Sequence, residues 1–125
     1  MHTARLSFDA APDAYAALRN VEAYLQNCGL EHSLLHLLKM RASQINHCTF
    51  CLDMHSREAR KNGETEQRLY LLPGWRESPL YSDRERAALT WTEHLTNIAT
   101  DGAPEAAFQA LKAHFTDKEI GRAHV

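Results

Sequence analysis

SQINHCTFCLDMHSREAR, residues 43–60, carries two cysteines three positions apart, Cys48 and Cys51, with a histidine, His55, four positions after the second. On an α-helix, positions i, i+3 and i+7 share a face, so these three side chains can point into one space, with Cys51 and His55 one turn apart. Cα atoms three residues apart on a helix lie within the span that a disulfide requires, so the two thiols can store a pair of electrons with little backbone movement. If this run is helical, its chemistry follows from its shape.

The flanking sequence supports a helix. Asn46 offers a side-chain oxygen to cap a helix beginning near His47, and Asn62 with Gly63 supplies a stop. Upstream, Pro12 suits a first helical turn, and Tyr15, Leu18, Val21 and Leu25 follow at three-to-four spacing until Gly29. A second helix is predicted over 33–45, where Leu34, Leu35, Leu37, Leu38 and Ala42 make an apolar face broad enough to be well buried. Downstream, a short helical piece over 64–71 ends at Pro73 and Gly74, and WRESPLY, 75–81, is the longest irregular stretch. Ser82 and Glu85 form a capping-box pattern opening a helix through Ala87, Ala88, Trp91, His94, Leu95 and Ile98 to Asp101 and Gly102. Pro104 opens another with Ala107, Phe108, Leu111 and Phe115 on one stripe. No alternating strand pattern stands out, so the fold class is all-α: a compact single-domain helical bundle. Thr116 and Glu119 repeat the capping-box pattern, but little chain follows. Residues 1–119 are read as the domain, shortened at its carboxyl end. IGRAHV, 120–125, matches one frame of a common sequencing adapter and is read as a non-native tail.

With 125 residues, the chain fits one domain. Its balance of 44% hydrophobic and 24% charged residues is that of a globular protein, and no apolar run approaches a membrane span. A formal charge of -2 gives no basic footprint for nucleic acid. The amino terminus lacks a secretory h-region, so the expected compartment is the cytoplasm. Three cysteines do not make a paired extracellular framework, and Cys28 reads as a small buried apolar residue. Of the histidines, His2, His32, His94, His114 and His124 fall at terminal or helix-face positions with dull explanations, leaving His36, His47 and His55. Trp75, Trp91, Phe50 and Phe108 read as core or interface residues, and the mixed charges of 56–68 as a solvated helix face.

Reaction with a peroxide requires a thiolate, and a free thiol of pKa about 8.5 is mostly protonated at neutral pH. The amino-terminal end of the helix dipole slightly favours ionising Cys48, whereas His55 is a specific base one turn from Cys51. The specific base outweighs the diffuse dipole, so Cys51 is taken as the nucleophile, His55 as its base and Cys48 as the resolving thiol. A zinc site is the rival: Cys48, Cys51 and His55 with His47 or His36 would make four ligands. No second ligand pair supports it, and ligands crowded at one helix start poorly surround a tetrahedral ion.

The run HLLKMRASQINHCTFCLDMHSREARKNGE, 36–64, followed by LYSDRERAALTWTEHLT, resembles the alkylhydroperoxidase D-like branch of the carboxymuconolactone decarboxylase family over residues 12–119. The resemblance implies an all-helical fold, peroxidase or general thiol-disulfide activity, no metal or other cofactor, and assembly into trimers or hexamers. It implies that an external dithiol or a lipoylated protein supplies electrons, that Cys51 attacks the peroxide, that Cys48 resolves it, and that His55 relays the proton. Lactone decarboxylases of the family characteristically lack the paired cysteines. One departure concerns His36. Family members commonly place a glutamate twelve residues before the first cysteine, at the far end of the relay. An imidazole there can pass protons but supplies no fixed negative charge to orient His55. His47 likewise replaces a residue that is usually small.

Overall fold

The computed structural model describes residues 5–123; His2 and His124, and the last two residues of the carboxyl-terminal run, lie outside them. Eight α-helices follow one another among the described residues: α1 Pro12–Gln26, α2 His32–Ile45, α3 Thr49–Lys61, α4 Glu66–Leu71, α5 Asp83–Thr96, α6 Ile98–Asp101, α7 Glu105–Lys112 and α8 Asp117–Ala123. No strand occurs among these residues, in keeping with the all-α expectation.

α2 is the central helix. It packs against α3 on one side and α5 on the other, while α5 continues to α7 and α7 to α8. Its broad apolar face serves two cores at once: Leu34 joins Leu30, Trp91 and Leu111 in one, and Leu37 and Met40 join Leu69, Leu72 and Leu89 in the other. Leu37, Leu72 and Leu89 are the largest fully buried side chains. Each contributes roughly 1.5–3 kcal/mol relative to an exposed position, and Ala59 of α3 packs into the same core as all three, which seats α3 against α2. Cys28 is buried in the first core, as its apolar setting suggests. Trp75 and Trp91 are core residues, whereas Phe50 is exposed and lies 6.4 Å from Phe8, ring centre to ring centre.

The irregular segment between α4 and α5 is fixed by two arginines. Arg68 donates to the Leu80 carbonyl and to Glu85, and Arg86 donates to the carbonyls of Tyr81, Arg76 and Ser78. Guanidinium groups thus satisfy backbone acceptors that no helix or strand would satisfy. Glu64 accepts from the same Arg68, so the mixed-charge run is not uniformly solvated.

Three boundaries differ from expectation. Asn46 does not cap α3; its amide still bonds to the Ala42 carbonyl, so it ends α2. His47 then takes a left-handed conformation, φ 53°, which turns the chain, and Cys48 becomes the first extended residue and the true cap of α3. The helix expected from 83 to 101 breaks at Asn97 into α5 and α6. The last capping box does open a helix: Glu119 and Thr116 exchange their reciprocal bonds, and Ile120 is buried in the first core.

Candidate functional site

The start of α3 carries the two cysteines. Cys48 caps the helix, its Sγ accepting from the amide of Cys51 at 3.3 Å. The two residues are joined as a disulfide, with Cα atoms 5.3 Å apart. Both are half-buried. The capping sulfur accepts from one amide at the helix start, a contact that favours its anionic form, so Cys48 is the better leaving thiolate when the bond opens.

One turn beyond Cys51, His55 lies inside α3 with its side chain 14% exposed, and its Nδ1 donates to Glu58 Oε2 at 2.9 Å. With Nδ1 as donor, Nε2 of the neutral ring is the acceptor. His36 comes from α2 across the α2–α3 interface and is buried. Its Nδ1 stands 3.6 Å from the same Glu58 oxygen. Its Nε2 is 3.1 Å from Asn62 Nδ2, and that amide nitrogen also donates to the Glu58 carbonyl at 2.9 Å. Burial lowers the pKa of His36 against the pull of Glu58, and Lys39, His32 and His55 add to the lowering.

These groups open onto a cavity of about 680 Å³ whose wall includes Glu22, His32, His36, Lys39, His55 and Glu58. His32 is held at its edge, its Nε2 donating to the Gln26 carbonyl at 2.7 Å. Neither cysteine is in that wall; the disulfide lies one helical turn before His55 along α3. An apolar cavity of about 430 Å³ lies beside it, and Glu22 and Lys39, which are ion-paired, line both. His47 stays exposed at the α2–α3 turn. Among the described residues, no group of three or more His, Cys, Asp or Glu side chains is placed to hold a metal ion. No helix among them is long and apolar enough to cross a membrane.

Of the four residues with expected catalytic roles, His36 and His55 meet at one carboxylate, and Cys48 and Cys51 meet at the helix start. Glu58 and Asn62 were missed. Glu58 is three residues after His55 and four before Asn62, a spacing that puts all three on one face. That spacing was the available signal.

The pattern that defines the carboxymuconolactone decarboxylase family matches residues 9–94. The chain is 37% identical over 112 residues to the uncharacterized protein YdfG of Bacillus subtilis (strain 168), which covers 90% of this chain and 76% of that one. It is 33% identical over 79 residues to the uncharacterized protein YnjA of Escherichia coli (strain K12), covering 63% of this chain and 43% of that one. A solved structure from Agrobacterium tumefaciens is 47% identical, with a TM-score of 0.93 over 98% of this chain and 84% of that one. It is described as a protein of unknown function, with a role in antioxidant defence as an AhpD protein only suggested.

Proposed function

Since the chain belongs to the carboxymuconolactone decarboxylase family, in its alkylhydroperoxidase D-like branch, we propose that it is a thiol-dependent peroxidase that reduces organic hydroperoxides or hydrogen peroxide. The observation that carries this reading is the Cys48–Cys51 pair at the start of α3, one turn from a histidine whose Nδ1 is held by Glu58, which leaves Nε2 as the acceptor of the neutral ring.

In the reduced protein, Cys51 passes its thiol proton to His55 Nε2. The thiolate attacks one peroxide oxygen; an S–O bond forms, the O–O bond breaks, and the departing alkoxide takes the proton from His55 and leaves as alcohol. Sulfur is oxidised to a sulfenic acid and the peroxide is reduced by two electrons. Cys48 then attacks the Cys51 sulfur, forming the disulfide as the S–O bond breaks and water leaves. An external dithiol, small or carried on a lipoylated protein, attacks Cys51 and expels the capped Cys48 thiolate, and a second exchange restores both thiols. The cycle suits a reducing compartment such as the cytoplasm. Assembly into a trimer or hexamer is part of the same proposal: α1 buries no residue, and Leu18, Val21 and Tyr24 leave apolar surface outward.

The second reading is thiol–disulfide exchange without peroxide chemistry, favoured by the helix-capping position of Cys48, which suits a leaving thiolate. One assay separates them: consumption of tert-butyl hydroperoxide with dithiothreitol as donor. The peroxidase reading expects catalytic consumption that Cys51→Ser abolishes. Wild-type consumption no faster than that of Cys51→Ser would leave only exchange.

A further inference from the structure

The carboxylate at this site comes from an unexpected helix. The resemblance places a glutamate on α2, at position 36, but His36 stands there, and the acid beside both histidines is Glu58 of α3. We propose that Glu58 is the positioning residue of the relay, holding His55 so that its Nε2 faces the thiol proton and balancing the imidazolium that forms. This deepens the peroxidase reading and rests on it.

The hydrogen bonds define the arrangement. Asn62 ends α3, its backbone amide bonded to the carbonyls of Glu58, Ala59 and Arg60, and Gly63 follows at φ 89°. Its side-chain Nδ2 donates to the Glu58 carbonyl, so that atom is the nitrogen, and its other hydrogen points at His36 Nε2. His36 Nε2 is therefore the acceptor, and the ring proton is on Nδ1, facing Glu58 Oε2. A second proton on His36 would set two donors against each other at Asn62, and it would have to enter a buried site. His36 stays neutral, and the Glu58 charge is left to His55 alone. When His55 takes the thiol proton, a cation forms 2.9 Å from a carboxylate, and the pair is balanced.

The other charged and titratable groups around the cluster are His32 and Lys39 from α2 and Glu22 from α1. Lys39 is paired to Glu22, so it does not compete for Glu58.

The test measures iodoacetamide alkylation of Cys51 in the reduced protein against pH, located by peptide mapping, in wild type, Glu58→Gln and the double variant Glu58→Gln/His36→Glu. Glu58 is 40% exposed on its side chain, so the amide fits without repacking. Loss of the charge is expected to move the profile up by about one pH unit, a roughly tenfold slower reaction at neutral pH. The double variant, with the carboxylate returned on α2, is expected to recover most of it. A Glu58→Gln profile that coincides with wild type overturns the proposal, as does a shift that the returned carboxylate fails to reverse. Wild-type Cys51 behaving as an ordinary thiol of pKa about 8.5 would instead remove the peroxidase reading beneath it.

Discussion

Reducing the Cys48–Cys51 bond should cost the fold little, and the cost can be worked out. The bridge spans a sequence separation of three, so it closes a very small loop. For about four residues, the chain-entropy relation gives roughly 2 kcal/mol at 25 °C. Little else is lost. The Cα separation of 5.3 Å is one that a helix start holds without a bond, and the cap from the Cys51 amide needs only the Cys48 sulfur. Neither core counts Cys48 or Cys51 among its buried residues, although Leu52 beside Cys51 packs on one of them. Urea unfolding followed by circular dichroism, with and without a phosphine reductant, is therefore expected to show cooperative transitions separated by about 2 kcal/mol or less. Cys48→Ser is expected to fall between them, since serine is a better cap than a thiol and returns up to about 1 kcal/mol. A reduced protein destabilised by more than about 4 kcal/mol, or without a cooperative transition, would instead make the bridge a structural one.

Two further predictions concern positions outside the redox pair. Glu93 accepts from Trp75 Nε1 at 2.9 Å and Arg41 Nε at 2.7 Å, and pairs with Arg76 at 2.7 Å. Burial raises its pKa, but these donors outweigh it and hold the carboxyl below the usual 4.5. The unfolded chain thus binds this proton more readily, so its contribution is full above about pH 4.5 and lost as pH falls further. Glu93→Gln is expected to cost about 2 kcal/mol at pH 7 and to flatten the acid limb of the stability profile; an unchanged limb would contradict this. At His47, φ 53° strains a residue with a Cβ by about 1–2 kcal/mol, less for histidine, asparagine or aspartate and more for a β-branched side chain. His47→Gly relieves that strain but frees the unfolded chain, so it should be neutral or stabilising by about 0.5 kcal/mol, while His47→Val loses about 1–2 kcal/mol. Equal midpoints for the two variants would count against the left-handed turn.

The helices were legible because their signals are local. Pro12, Pro104, the Ser82–Glu85 box and the leucine spacing of α2 each act within a turn or two, and the structure keeps all of them. The α2–α3 joint was misplaced because two residues compete for one role. Asn46 is the better capping residue by type, yet its amide is already used by α2, which leaves the cap to Cys48. Glu58 was hidden differently. In a run of mixed charge it reads as one solvated acid among several, and only the packing of α3 on α2 brings His36 to within 3.6 Å of it. Asn62 was legible as a helix stop, but its side chain's hold on His36 spans 26 residues and leaves no local trace.

If Cys51 and Cys48 give two electrons to a peroxide, the transfer shows as a change in thiol count. The most direct measurement adds one equivalent of organic hydroperoxide to the pre-reduced protein and counts free thiols by differential alkylation and peptide mapping, with Cys51→Ser in parallel. Loss of two thiols is expected, mapped as a Cys48–Cys51 disulfide with Cys28 still reduced, and no such loss in the variant. Retention of all three thiols in the wild type would contradict it.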